Sequence, residues 1–463
     1  MDRKFPSYTN PLRLAALALL AIALFSGPTA QAQDVTPVLT SQHGPNADAT
    51  LPKHYVVLVS LDGFRYDYAK KYDAKNLQAL AAAGATAPDG MIPAYPSITF
   101  PNHLTLVTGL YPEHHGIVAN NFYDPVRKQT FRLSDPATLT DGSWYGGTPI
   151  WVLAEQQGMR TACFFWPGSE AEIQGTRPSY YLKYDGKIPN EKRVAQVLAW
   201  LRLPEAQRPH LITLYFGDAD HAGHEYGPDS DQVRAAVAGI DTQIGALRAG
   251  LADLHLPIDL VVVSDHGMAT VQGDWITLDE FFPDGASAFE KIVSPALYPK
   301  SEADAQGAYE ALKGKSDKFD VFRRAQLPAV LHDDSNPRSG DPMIVANGPY
   351  LIRFSAHAPD GSPALDAKEV GAHGYDPARV PDVKASFFAA GPDIRAGVTV
   401  PSFENVNIYP FLAKLLGLDI THLKTGPIDG DLKVLTPILQ SVPAGKKAAS
   451  APENKTEREL ARK

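Results

Sequence analysis

Cysteine is nearly missing: Cys163 is the single one in 463 residues. No intramolecular disulfide is available, so the fold must rest on packing or on bound metal. A basic excess is missing too. Lys and Arg total 43 against 52 Asp and Glu, a formal net charge of -9, and no basic stripe stands out. That balance argues against binding a nucleic-acid backbone, and it is compatible with holding cations. Past residue 32 no run is apolar enough to cross a bilayer. What is present is ordinary for a globular chain: 44% hydrophobic and 21% charged residues, far from the composition of disorder. The length allows one large domain or two smaller ones.

At the amino terminus, Arg3, Lys4 and Arg13 precede the apolar run LAALALLAIALF (Leu14 to Phe25), and Ala30-Gln31-Ala32 follows. This is the layout of a secretory signal cut after Ala32, with a run shorter than the ~20 residues of a membrane span. The mature protein is therefore expected to be secreted, in a bacterial periplasm, without a membrane span. Residues 33–52 are polar and read as a leader into a catalytic domain over 53–443. Residues 444–463 read as a loose polar tail.

Continuous apolar runs mark strands buried on both faces: YVVLVSLDG from Tyr55, RTACFFW from Arg160, HLITLYFGD from His210 and IDLVVVSDHG from Ile258. Helical segments separate them, near 76–85, 150–157, 191–201 and 231–254. The alternation predicts an α/β fold with a mostly parallel sheet and helices on both faces. The pattern weakens over about 273–347, which reads as an inserted subdomain. It returns at Pro349 to Ser355 and Ala385 to Pro392, with a last helix within Asn405 to Leu418.

Three of the runs end in acids: Asp62, the pair Asp218 and Asp220, and Asp265. Ligands of open parallel sheets bind at the carboxyl ends of the strands, so these acids should meet on one edge. Histidines accompany them. Asp220 and His224 are four apart, Asp265 and His266 are adjacent, and His373 lies between small residues in GAHGYD; His221 sits in the same loop as the first pair. Each element alone has an ordinary reading as a turn or a surface pair. Three carboxylates and three imidazoles together suit zinc. Shared between two ions about 4 Å apart, they would form the clamp used in phosphoryl-transfer sites.

The stretch YPSITFPNH, Tyr95 to His103, offers a nucleophile. Thr99 is either a cap for a helix starting near Asn102 or a hydroxyl that a metal ion activates.

TFPNH, with GIVANNFYDP, FFWPGSE, DADHAGHEYGP, SDHGM and GAHGYDP, resembles the nucleotide pyrophosphatase/phosphodiesterases of the alkaline phosphatase superfamily. The motifs occur in family order from about Tyr55 to Leu418. The resemblance implies an alkaline phosphatase-like fold and two Zn2+ ions per chain. Asp220, His224 and His373 would hold one, and Asp62, Asp265, His266 and the Thr99 oxygen the other. Thr99 would attack phosphorus, forming a phospho-threonine ester that water then hydrolyses. Asn120 and the Phe100 N–H would bind a nonbridging oxygen. Phe100 and Tyr184 would sandwich the base, with Tyr215 nearby, and the substrate would be a small nucleotide diester or pyrophosphate.

Rivals are narrower. A phosphomonoesterase would want an arginine facing the phosphate, and none lies beside Thr99 in sequence. Cys163 does not match a sulfatase motif. A phosphodiesterase of lipid or choline headgroups stays open, because pocket shape is not written in the sequence. A metal-stabilised binding protein without turnover would lack a ligand or the nucleophile. The cysteine-rich modules and nuclease-like domain of larger animal members are not seen here, so scaffolding and long nucleic-acid substrates are not expected.

Overall fold

The expected strands lie side by side in a nine-stranded sheet. The computed structural model describes residues 38–282, 285–356 and 369–440; the signal segment 1–32 and the tail 444–463 lie outside the described residues. Along the chain the strands are β1 (Leu39–Thr40), β2 (Tyr55–Leu61), β3 (Ala85–Thr86), β4 (Thr161–Phe164), β5 (Tyr180–Tyr181), β6 (Leu211–Phe216), β7 (Ile258–Val263), β8 (Phe387–Ala390) and β9 (Val398–Thr399). Their order across the sheet is β1-β5-β4-β6-β2-β7-β8-β3-β9. From β5 to β7 neighbouring strands are parallel. β8 runs against both β7 and β3, so the sheet is mostly parallel, as anticipated.

The main helices are α1 (Lys75–Ala83), α2 (Thr99–Thr108), α3 (Ile150–Gln156), α4 (Asn190–Leu201), α5 (Asp218–Tyr226), α6 (Asp231–Asp253), α7 (Glu302–Leu312) and α8 (Ile408–Leu416). Strand β2 shows how the sheet builds two cores. Its side chains alternate with period two: Val56 and Leu58 join one cluster with residues of α2, α3 and α8, while Val57, Val59 and Leu61 join another with residues of α1, α4 and α6. Each such fully buried side chain contributes roughly 1.5–3 kcal/mol against exposure. Parallel strands covered on both faces need few polar residues along their length, which is why β2, β6 and β7 read as largely apolar runs, Asp259 at the start of β7 apart.

One expectation fails. Residues 38–52 are not a leader outside the domain: Leu39 and Thr40 pair with Tyr181 and Tyr180 as an edge strand. Buried Asn46 then ties this segment down. Its Nδ2 donates to the Glu205 and Arg208 carbonyls, both at 2.8 Å, and its Oδ1 accepts from Arg160 N. A two-residue strand has too little periodicity to be read from sequence.

Within 273–347, Phe289–Val293 pairs with Ala296–Pro299, and Phe319–Phe322 with Met343–Ala346. With α7 they enclose a small core of their own, including Leu278, Phe289, Leu297, Leu312 and Phe319.

Candidate active site

The carboxyl ends of β2, β6 and β7 deliver the acids to one place. Asp62 follows β2 directly, and its N–H still bonds to Phe216 O at 2.9 Å, extending the sheet by one residue. The chain then turns through Gly63 at φ +65, where an added Cβ would stand 2.7 Å from the Asp220 Cα. Glycine is needed there for both reasons, the left-handed backbone and the close approach of α5. Asp220 and His224 sit one helical turn apart on α5, so both side chains face the same way.

Seven side chains converge. His224 Nε2 and His373 Nε2 lie 3.4 and 3.6 Å from Asp220 Oδ1. His266 Nε2 lies 3.0 Å from Asp265 Oδ2, 3.4 Å from Asp62 Oδ1 and 3.3 Å from Thr99 Oγ1. The His266 and His373 rings stack at 3.6 Å between centroids, joining the two halves into one cluster.

The orientation of the three imidazoles is informative. Each Nδ1 faces a backbone carbonyl, which can only accept: His224 to Gly371 O at 3.0 Å, His266 to Gly267 O at 2.9 Å and His373 to Ser97 O at 2.9 Å. Nδ1 therefore carries a proton in all three, and each Nε2 points into the cluster, the arrangement that metal-ligating histidines use. His224 Nε2 and His373 Nε2 then stand 3.1 Å apart, a spacing that two lone pairs tolerate only with a cation or proton between them. Asp62 Oδ1, Asp220 Oδ1 and Asp265 Oδ2 are buried with no hydrogen-bond donor. Unsatisfied buried carboxylate oxygens are costly, and a divalent cation would satisfy all three. The donor set thus fits metal ions.

Charge within the cluster is polarised accordingly. Burial, then the neighbouring Asp265 and Asp220 carboxylates, push Asp62 well above the usual range. Burial would raise Asp265 too, but His266 and His103 outweigh it and hold it well below. Burial, together with the facing His266, pushes His373 down to about 3, which keeps its Nε2 free to ligate.

Thr99 opens α2. Ile98 is the extended residue before the helix, and no side chain caps it, so the cap reading of Thr99 and the helix start near Asn102 are both corrected. Pro101 falls in the first turn, where its missing N–H costs nothing. Buried Asn102 instead braces the preceding loop, its Nδ2 within 3.0–3.2 Å of the Ala94, Pro96 and Ile98 carbonyls. The Thr99 hydroxyl is thereby left to face the cluster.

A family model described as type I phosphodiesterase / nucleotide pyrophosphatase matches residues 56–376, more than half of the chain. The chain belongs to that family. An uncharacterised pyrophosphatase/phosphodiesterase of Schizosaccharomyces pombe is 35% identical over 378 residues, 78% of this chain and 77% of that one. Human ectonucleotide pyrophosphatase/phosphodiesterase family member 1 is 35% identical over 404 residues, 80% of this chain but 42% of the human one. The chain thus spans under half the length of that larger relative. A solved structure of murine ectonucleotide pyrophosphatase / phosphodiesterase 5, an inactive variant in complex with AMP, superposes with a TM-score of 0.75. It has 28% identity and covers 84% of this chain and 100% of its own. The fold is the alkaline phosphatase-like one of this family.

The remaining anticipated residues of this family member are placed unevenly. Phe100 N–H donates to Asn120 Oδ1 at 3.0 Å. The two were expected to donate side by side to a phosphate oxygen; here one donor is spent orienting the other, leaving the Asn120 Nδ2 hydrogens for a ligand. The Phe100 ring is only 8% exposed and packs near Phe131, 6.3 Å between centroids. Tyr184, 58% exposed, is the open aromatic face. Tyr215 lies beside it, 6.1 Å between ring centroids, but is buried, and its hydroxyl donates to Asp62 Oδ2 at 2.5 Å. His221 points away, 83% exposed beside Glu225.

Two further residues were not assigned from sequence. His103 is buried against the metal set: Nδ1–H donates to Thr99 O at 2.8 Å and lies 3.3 Å from Asp265 Oδ2, while the Ser60 hydroxyl donates to Nε2 at 2.8 Å. Both its nitrogens are engaged, so it braces Thr99. Its position four residues after Thr99 on α2 was the available signal. Ser97 clamps the His373 loop: its carbonyl takes His373 Nδ1–H, its hydroxyl donates to Tyr375 O at 2.8 Å, and Gly374 N–H donates to that hydroxyl at 3.0 Å.

Proposed function

We propose that this chain is a two-zinc hydrolase that cleaves nucleotide phosphodiesters and pyrophosphates through Thr99 and releases nucleoside 5'-monophosphates. The observation that carries this reading is the convergence of three imidazole Nε2 atoms and three unsatisfied carboxylate oxygens in one cluster, which the Thr99 hydroxyl joins beside His266. Asp220, His224 and His373 would hold one ion, and Asp62, Asp265 and His266 the other, beside Thr99. When bound, the ions supply Lewis-acid neutralisation of phosphate charge and lower the proton affinity of the threonine hydroxyl.

This chain's own groups do the rest. Thr99 Oγ1 attacks phosphorus opposite the leaving oxygen; the new O–P bond forms as the old one breaks, the hydroxyl proton passes to solvent, and the leaving oxygen takes a proton from solvent as it departs. Water then cleaves the phosphothreonine ester, and Thr99 regains its proton. Asn120 Nδ2 donates to a nonbridging oxygen as charge builds there, with the Phe100 N–H holding the amide in register. The amino end of α2 adds its partial positive charge at the same point. Tyr184 offers a stacking face that tolerates any base. The murine relative bound to AMP was made inactive by a threonine-to-alanine change, which supports the role given to Thr99.

Thr99→Ala is expected to abolish hydrolysis of an aryl nucleotide diester while zinc content stays near wild type; retained turnover refutes the nucleophile. Side-by-side kinetics on ATP, a dinucleotide, an aryl monoester and a lysophospholipid separate nucleotide from headgroup and monoester substrates. Export to the periplasm through the amino-terminal signal belongs to the same proposal and is tested by cell fractionation.

A further inference from the structure

The parallel strands β2 and β7 have a second polar end. Opposite the active site, His54 immediately precedes β2, Asp259 is the second residue of β7, and Asp393 lies just beyond β8, which runs the other way and so finishes at this same end. A ring nitrogen of His54 and one carboxylate oxygen from each aspartate lie within 4.8 Å of one another. His54 Nδ1 is 2.7 Å from Asp393 Oδ2, and Asp393 N–H donates to Asp259 Oδ1 at 3.0 Å.

What sets this cluster apart from a surface acid patch is Asp259. The residue is wholly buried, and its Oδ2 has no hydrogen-bond partner. An acid at the second position of a central strand is also out of keeping with the otherwise apolar β7. The chain around it is shaped to admit the carboxylate: a Cβ on Gly391 would stand 2.2 Å from Asp259 Oδ1. Burial, and then the Asp393 charge, push the Asp259 carboxyl up to about 7 even though the Asp393 N–H opposes the shift. A cation would relieve the same strain more fully than a proton, since it satisfies both carboxylates at once.

We infer that His54, Asp259 and Asp393 bind a divalent cation of the zinc class, separate from the active-site cluster and stapling β2, β7 and the turn after β8. An imidazole with two carboxylates favours zinc, cobalt or nickel over calcium or magnesium, which take oxygen alone. Entry is open, because the His54 and Asp393 side chains are 35% and 36% exposed while Asp259 closes the inner side. Three protein ligands leave a fourth position for water.

The test is zinc stoichiometry by equilibrium dialysis of the full protein against buffered free zinc, followed by elemental analysis. His54→Ala and Asp393→Asn, both at half-open positions, are each expected to hold one zinc fewer per chain than wild type. Their hydrolysis of an aryl nucleotide diester should stay within about twofold, because the active site lies at the far end of the strands. Zinc should also raise the Tm of the metal-stripped wild type more than that of either variant. Zinc content and zinc-dependent Tm shift equal to wild type in both variants overturn the inference. Asp259→Asn separates an ion from a shared proton: loss of one equivalent supports the ion, and unchanged zinc content with unchanged Tm means the pair holds only a proton and overturns it.

Discussion

Replacing Tyr215 with phenylalanine removes a single oxygen from beneath the active-site cluster and leaves the ring in place. That oxygen donates to Asp62 Oδ2 at 2.5 Å, and Asp62 Oδ1 has no donor at all. The variant therefore leaves a wholly buried carboxylate with neither oxygen bonded. Hydrogen bonds to charged groups contribute about 1.5–3 kcal/mol, which corresponds to roughly 10- to 100-fold in an equilibrium constant. The loss falls on the ionised form of Asp62, the form that binds a cation, so zinc affinity should drop by that factor, in line with the usual cost of removing a group that orients a metal ligand. The sign with pH follows. Among the influences on Asp62, the Tyr215 bond lowers its pKa against burial and two neighbouring acids. Without that bond the carboxyl is raised further, so activity should fall at a higher pH on the acid side than in wild type. The assay is diester hydrolysis across a series of buffered free-zinc concentrations, with a pH profile at saturating zinc. Activity should return at high zinc. A zinc titration and an acid limb that both coincide with wild type refute Tyr215 as a positioning residue.

Gly63→Ala combines a φ of +65 with a Cβ 2.7 Å from the Asp220 Cα; a destabilisation of about 2–5 kcal/mol and loss of zinc are expected in urea unfolding and metal analysis. Tyr184→Ala alters an exposed ring, so Tm should be unchanged while KM for nucleotide diesters rises about 5- to 100-fold, and KM for a small aryl phosphodiester without a base does not. An equal rise on both substrates argues against stacking. Cys163 is fully buried, and burial pushes its thiol well above the usual range, so a thiol reagent should label nothing in the native protein and one group per chain in denaturant. Labelling of the folded enzyme refutes that burial.

Much of this protein is determined locally. Strands covered on both faces must be mostly apolar, so β2, β6 and β7 announced themselves, and the acids at their carboxyl ends followed from where the apolar runs stop. The left-handed turn at Gly63 and the one-turn spacing of Asp220 and His224 are likewise short-range matters. Tertiary structure decided what depends on register between distant segments. The pairing of Leu39–Thr40 with Tyr180–Tyr181 joins residues about 140 positions apart through two ladder steps, too short a match for any periodicity to show. Which imidazole nitrogen faces the cluster depends on carbonyls at Gly371, Gly267 and Ser97, and a carbonyl is common to every residue type. The use of Tyr215 on Asp62, and the meeting of His54, Asp259 and Asp393, bring together residues more than 130 positions apart in every pair. Sequence carries the residue types that chemistry requires; only the packed sheet sets the distances at which they act on one another.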